Sequence, residues 1–499
     1  MSGVTLIDRL VAWASPEAGV RRAIARRSFE TLATGRRGYD GAARGRRTDG
    51  WKAPGTSADA EISAASGLLR DRMRDLVRNN PHAAKAVSVL VNNIVGSGII
   101  PRAATGDAKL DETVNRLWET WSPLADADGQ LDILGVQTLA VREMIEAGEV
   151  LLRRRPRRAA DGLPLPLQVQ VIEADLLDAT RNGDLADGGR QLQGIEFDAI
   201  GRRRAYWLYA QHPGDAIVSM RHRFDSAAVP ARDVLHLYEK QRTQVRGVPW
   251  GTPVMRALRD LDDWTQAELV RKKTEACVVG IVLGADEADQ GIAPAVVDAD
   301  GQRVEQFEPG LIAYARGGKD IRFNQPATTA GTGEWLRSQL HIIAAGFRMP
   351  YELLTGDLSQ VNYSSIRAGL VEFRRLIDAI QWQIVIPGLC QPLWIWFCEA
   401  AWAAGKLPRP DIVVEWSPPR FEAVDPLKDA TADLLAMRSG TMTLAQAIAR
   451  QGHNPDAVLA EIAAMNAKID TLGLVLDSDP RRVTKTGVMQ AASTDPSDA

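Results

Sequence analysis

Cysteine is scarce in this 499-residue sequence, which holds only Cys277, Cys390 and Cys398, no two of them spaced as C-x-x-C. The six histidines are scattered at His82, His212, His222, His236, His341 and His453. That usage excludes a local zinc motif and suggests no disulfide framework, so no metal and no cofactor is expected. Synthesis in a reducing cytoplasm fits. An excess of one charge is also missing: 60 Lys and Arg oppose 63 Asp and Glu, for a formal net charge of −3. A protein that coats nucleic acid by bulk charge is usually basic, and this one is not.

Catalytic motifs are missing too. No G-x-x-x-x-G-K-[ST] occurs. Gly317-Gly318-Lys319-Asp320 lacks the upstream glycine and the hydroxyl residue, and Gly405-Lys406-Leu407 fails likewise. There is no H-E-x-x-H and no G-x-S-x-G. Gly96-Ser97-Gly98 follows a helical pattern and reads as a helix terminator, not a nucleotide loop. Asp262 and Asp263 are adjacent, which on a helix turns them about 100° apart and spoils an acid/base pair. His341 lies inside a helical pattern and reads as a structural histidine. The sequence is therefore not expected to be an enzyme. No apolar leader with a cleavage site is visible near the N-terminus. An uninterrupted membrane span is lacking as well. The most apolar stretch, 384–404, is broken by Pro387, Gln391, Pro392 and Glu399, and reads as a buried, kinked helix.

What is present is an α+β pattern. The apolar fraction of 45% supports a sizeable core. Within residues 1–57, the stretch from Arg21 to Arg47 holds nine arginines with few acidic neighbours. They read either as a solvated, mobile arm or as an arm that touches an acidic partner or nucleic acid. Helices are expected over 58–79 and 81–94, the second with Asn80 as N-cap and Pro81 in its first position. Further helices are expected over 109–121 and 133–147. Short β-prone runs follow at 150–154, 167–172, 193–197, 205–210 and 234–238, with turn signals such as Asn182-Gly183 between them. The pattern is that of antiparallel strands attached to helices.

A helix of about 25 residues, roughly 37 Å long, is expected over 253–277. It has a narrow apolar stripe of Val254, Leu258, Leu261 and Trp264, and Glu268 and Lys272 form a favourable i,i+4 pair. Such a helix suits packing against neighbours. An acidic insert, 278–326, has strands expected at 278–283 and 311–315. A second helix spans 333–347, and a loop runs from Met349-Pro350 to about Tyr363. A long helical pattern then covers 366–404, with Ser364 or Ser365 as its N-cap and breaks at Pro387-Gly388 and Pro392. A strand is expected at 411–416 and helices at 427–438, 444–450 and 455–469. The last twenty or so residues are polar and read as disordered.

Several strings in this order resemble the lambda family of phage portal proteins. Tyr39-Asp40-Gly41-Ala42 through Arg46 and Trp51 is similar to the family's N-terminal pattern, and Leu76-Val77-Arg78-Asn79-Asn80 to its early helix. Arg246-Gly247 with Pro253-Val254-Met255 resembles the entry to its first stem helix. Ile343-Ala344-Ala345-Gly346, Pro350-Tyr351-Glu352-Leu353-Leu354 and Asn362-Tyr363-Ser364-Ser365-Ile366-Arg367-Ala368 resemble its stem exit and tunnel loop, and carry most weight. Asp425-Pro426-Leu427-Lys428-Asp429 resembles the transition toward its crown. Each string is short, but they cover most of the chain in one order.

The resemblance implies a ring, usually of twelve subunits, at one capsid vertex, through which double-stranded DNA is packaged and ejected. It implies an arm at 1–57, a wing at 58–252, a stem helix at 253–277, a clip at 278–326 and a second stem helix at 327–349. A tunnel loop at 350–363, a long kinked helix and wing strand at 364–426, a crown at 427–476 and a disordered tail at 477–499 complete it. The clip would dock the terminase large subunit and later the head–tail adaptor and connector proteins, through Asp286, Glu287, Asp289, Asp298, Asp300, Glu305 and Glu308. Tyr351, Glu352, Asp357, Gln360, Asn362 and Tyr363 are the candidates to face DNA. The carboxylates Glu352 and Asp357 either repel and centre the duplex, or simply solvate the loop or pair with a neighbouring subunit. Major capsid and scaffold proteins are further implied partners. The chain would reside in the virion, and in the host cytoplasm during assembly. The competing readings are another head or neck protein such as an adaptor, a phage DNA-processing enzyme, and a membrane protein built on 384–404. The first lacks the insert–helix–loop–helix order, and the second needs a metal or nucleotide site of which no motif is visible.

Overall fold

The computed structural model describes residues 13, 53, 55–215, 225–276, 280–283, 312–315, 320–323, 331–360, 362–419, 426–450, 455–476, 479 and 481. The first unit, Met1–Ser57, falls almost wholly outside them. So do all seven acidic clip candidates and the polar C-terminal residues.

The second unit opens with α1 (Ala58–Asn79) and α2 (Pro81–Ile94). The Asn80 side chain accepts from the N–H groups of His82 and Ala83, at 3.0 and 3.2 Å, as its capping position requires. α2 buries Ala83, Ala86, Val87, Leu90, Val91 and Ile94, and stops before Gly96 and Gly98, both at positive φ. β1 (Ile100–Ala103), α3 (Ala108–Trp121) and α4 (Ile133–Glu146) follow.

The β-rich part comprises β2 (Glu149–Pro156), β3 (Leu167–Glu173), β4 (Gly183–Asp184), β5 (Arg190–Leu192), β6 (Ile195–Phe197), β7 (Arg203–Tyr209), β8 (Ser226–Pro230) and β9 (Val234–Tyr238). They form two antiparallel sheets, β3-β2-β9 and β4-β5-β6-β7-β8. Leu151, Ile172, Leu177, Ile195, Tyr206 and Val229 are among the residues of a small core that both sheets share. The expected run at 193–197 is split: Gln193 and Gly194 take positive φ and turn the chain between β5 and β6.

α5 (Met255–Ala276) leads to β10 (Gly280–Leu283), β11 (Ile312–Ala315) and β12 (Asp320–Phe323), a three-stranded sheet with β10 in the middle. β10 runs parallel to β11 and antiparallel to β12. The strand at β12 was not expected. α6 (Thr332–Gly346) and the one-turn helix α7 (Tyr351–Thr355) come next. α8 (Tyr363–Ile380), a π-helical segment (Gln381–Cys390) and α9 (Gln391–Ala403) run on without interruption. The chain closes with β13 (Val414–Ser417), α10 (Pro426–Arg438), α11 (Leu444–Arg450) and α12 (Pro455–Thr471).

The long helix expected here thus continues past Pro387 and Pro392. Pro387 lies inside the π-helical stretch, and Pro392 follows at its junction with α9. The Ser364/Ser365 cap is also corrected: the Asn362 side chain caps α8 by accepting from Ser365 N–H at 2.8 Å. This helical run is long and apolar enough to cross a membrane, but 61% of its most apolar window is buried inside the protein. Leu393, Trp394, Phe397 and Cys398 lie in the main core, where Trp118, Trp121, Trp394 and Phe397 pack with ring centroids 5.0 to 5.4 Å apart. Cys390 and Cys398 are buried free thiols, both pushed up to about 12 by burial.

The stripe on α5 behaves differently from expectation. Val254, Leu258 and Leu261 are already buried within the chain, against α1 and α6 among other elements, so no neighbour is needed to cover them. Among the described side chains of α5, the large apolar ones left exposed lie toward its distal end, Leu269 at 54% and Val270 at 62%. Trp264 packs against Trp335 of α6, with ring centroids 4.2 Å apart and the planes tilted by 47°. Glu268 pairs with Arg271 at 2.6 Å, one residue short of the expected Lys272.

Candidate functional site

The loop at 350–363 begins as a helical turn, α7, not as open coil. Leu354 is buried and holds that turn on the core, while Gly356 ends it at φ +75°. The Tyr351 ring stacks on His341 of α6, 4.2 Å between centroids and 24° between planes. His341 is itself exposed, so it is no core histidine, and its packing is on the loop. Tyr351 Oη donates to Asp357 Oδ2 at 3.1 Å, and Arg337 Nη2 lies 3.6 Å from the same oxygen. The Ser359 N–H donates to Asp357 Oδ1 at 3.0 Å. The bonds from Ser359 and Tyr351 and the Arg337 charge hold the Asp357 carboxyl below its ordinary value, so it is an anion at neutral pH.

The structure thus brings Tyr351 and Asp357 together. Glu352 is half-buried on α7, whereas Gln360 is exposed at the loop tip beside Leu358, which is 61% exposed. Asn362 is committed to capping α8, and the side chain of Tyr363 lies outside the described residues.

The base of this loop is anchored to the segment that enters α5. Arg348 takes φ +60°, a conformation few side chains adopt. A two-pronged bond to Glu239, 2.8 Å on each arm, holds it there, and its guanidinium lies 4.2 Å from the centre of the Trp250 ring.

Beneath that segment lies a buried ionic cluster that inspection of the sequence did not single out. Glu149, the first residue of β2, is fully buried. It accepts from Arg246 Nε at 2.8 and 2.9 Å, from Gly247 N–H at 2.9 Å and from Arg70 Nη2 at 3.3 Å. His236 Nε2 is 2.9 Å from its other side. Arg203 Nη1 stands 2.9 Å from His236 Nδ1. A guanidinium can only donate, so Nδ1 accepts and the ring proton sits on Nε2, facing Glu149. Burial pushes the His236 pKa down to about 4, outweighing Glu149, so the ring is neutral at pH 7. Burial pushes Glu149 up, but the Arg246 charge and the His236 bond hold its carboxyl well below the usual range. The two strands of chain meet closely here: a Cβ on Gly247 would lie 2.0 Å from the Gly148 carbonyl oxygen. Only glycine fits, which gives the Arg246-Gly247 string its physical reason.

Glu173, Asp175 and His212 could together reach a metal ion. However, Arg70 and Arg74 bond Asp175 at 2.9 and 2.8 Å, and Arg74 bonds Glu173 at 3.1 Å. The carboxylates are already neutralised by arginine, an arrangement that disfavours a cation.

The family described as phage portal protein, lambda family, matches residues 44–381. A probable portal protein of Halomonas phage phiHAP-1 is 27% identical over 462 residues, covering 86% of each chain. The portal protein of Escherichia phage N15 is 22% identical over 470 residues, covering 83% of this chain and 86% of its own. Among solved structures, a chain from the neck of a gene transfer agent particle computed with C12 symmetry is 15% identical, with a TM-score of 0.42, over 74% of this chain and 89% of that one. The family match takes in the early helices, the buried cluster, α5, the insert, α6 and the loop, and this chain belongs to the lambda family of phage portal proteins.

Proposed function

We propose that this chain is one protomer of a closed portal ring, of twelve subunits in the virion, through which double-stranded DNA is packaged and ejected. The family is a structural class, not an enzymatic one. The observation that carries the reading is the family match over 44–381 together with the order α5, three-stranded insert, α6, loop and long helix. In this reading 253–277 and 327–349 form the stem and 278–326 the clip. Residues 58–252 with 364–426 build the wing, and 427–476 the crown. The acidic residues of 278–326 dock the terminase large subunit and later the adaptor and connector proteins. Capsid and scaffold proteins surround the ring.

The loop at 350–363 faces the channel. Its anionic Asp357, repeated around the ring, repels phosphates and keeps the duplex sliding, since tight phosphate binding would obstruct passage. Leu358, Ser359 and Gln360, the exposed tip, are the side chains set to meet DNA. Negative-stain micrographs of the purified chain test the ring: a particle with a central hole is expected, and monomers under all conditions would overturn the reading. The loop is tested separately by Asp357→Lys, which should slow packaging or reduce the retained DNA in assembled particles. Normal packaging by that variant removes Asp357 from the channel lining.

A further inference from the structure

β2 carries Arg153, Arg154 and Arg155 and, past Pro156, Arg157 and Arg158. Strand residues alternate between faces. On one face Arg154 meets a carboxylate, Glu399, at 2.6 Å, and lies 6.0 Å from the centre of the Trp396 ring. Arg153, Arg155 and Arg157 follow the other alternation, and their surroundings differ. Arg155 Nε donates to Gln170 Oε1 and Arg157 Nε to Gln168 Oε1, both at 2.8 Å. Among the described residues no carboxylate pairs with any of these three guanidiniums. Burial first, and then the charges of Arg153 and Arg157, hold the Arg155 pKa below its ordinary value. All three are half-buried, and a cavity of about 570 Å³ opens beside Arg155, Arg157, Gln170 and Gln130. Asp126 and Asp128 also line it, but the Asp126 carboxylate is taken up by the N–H groups of Asp128, Gln130 and Leu131, each at 3.1 Å.

We propose that this arginine row binds an extended acidic segment of a partner protein, with Asp or Glu at alternate positions. β2 is flanked by β3 and β9, so the peptide lies over the arginine-bearing face of the sheet. Alternate residues of a strand lie about 6.8 Å apart, and an extended peptide aligned with β2 there repeats its carboxylates at the spacing of the guanidiniums. The planar fork of arginine takes a carboxylate on two bonds, and glutamine can yield its place without leaving a buried charge. A partly enclosed cavity favours peptide side chains over a DNA duplex, a stiff rod that cannot follow the row into it.

The test uses the full chain in its assembled state and fluorescence anisotropy of a labelled synthetic peptide alternating Glu and Ser. Saturable, salt-sensitive binding is expected, and a Gln/Ser peptide should not bind. The combined variant Arg153→Gln, Arg155→Gln, Arg157→Gln should weaken binding roughly tenfold or more, while Arg154→Gln should change it by less than about twofold. Should the combined variant fail to fold, as its melting curve would reveal, Arg157→Gln alone at the open end should weaken binding about threefold. Absence of peptide binding, or binding indifferent to the variant that folds, overturns the proposal. Tighter, variant-sensitive binding of a labelled duplex overturns it in favour of nucleic acid.

Discussion

Glu149 shows how one residue can hold several parts of a chain. It joins Arg70 of α1, His236 of β9 and Arg246 of the segment before α5, all buried. Removing one member of a buried ionic set leaves the others uncompensated, and this costs more than the intact set contributes. Glu149→Gln is therefore expected to destabilise the protein by about 3–5 kcal/mol, read as a lower denaturation midpoint. His236 adds a pH dependence. Its folded pKa is about 4, below the ordinary 6.5, so between those values the unfolded chain binds a proton that the folded chain refuses. Stability therefore falls as pH drops through this window, by roughly 3 kcal/mol in all. Urea midpoints measured as the pH is lowered from 6.5 to 5, where the stabilisation from Glu149 is still in place, should fall in the native protein. His236→Gln retains a donor for Glu149 and an acceptor for Arg203, and should flatten that slope. An unchanged slope would place the titration elsewhere.

At the scale of elements, the long helix at 363–403 departs most from a sequence pattern. A proline within an α-helix removes a bond and crowds the preceding turn. Here ten residues, Gln381–Cys390, widen into a π-helix around Pro387. The entry to that stretch is fixed from outside: buried Gln381 donates through Nε2 to the Ile94 carbonyl at the end of α2, at 2.8 Å. Gln381→Met fills similar volume but leaves that buried carbonyl without its donor. A loss of about 1–3 kcal/mol is expected, with hydrogen exchange accelerated at the end of α2 and in the π segment. Uniform protection in both would mean that the glutamine does not hold the junction.

For the whole molecule, the ring reading now rests on a smaller apolar surface than the α5 sequence suggests. Val254, Leu258 and Leu261 are satisfied within the chain, and Leu269 and Val270 remain at the distal end. In a ring a neighbour would cover these two, and on α6 the exposed Trp335 and Ile342 as well; a buried leucine contributes about 1.5–3 kcal/mol. Leu269→Asp should shift the concentration at which rings form by about tenfold or more, as mass photometry would reveal, while the monomer's melting midpoint stays put. Normal ring formation would remove this end of α5 from the interface.

Helices whose signals are local were legible from the residues alone. Asn80-Pro81 marked the start of α2, and the 3.6-residue apolar period marked α5, because caps and periodicity act within a few residues. The absence of catalytic motifs and the ordered portal strings were likewise carried by the sequence. Contacts between distant segments were not. β1 pairs with β13, Ile100 opposite Ser417, and nothing in either short run names its partner. The cap of α8 fell to Asn362 and not to the serines beside it, because the backbone turned earlier than composition suggested. The loop candidates were named in sequence, but only the fold set Tyr351 between His341 and Asp357. Glu149, His236, Arg203 and Arg246 are scattered and carry no motif as a group. Their protonation and their role arise from burial in one another's company, a property that belongs to the folded chain.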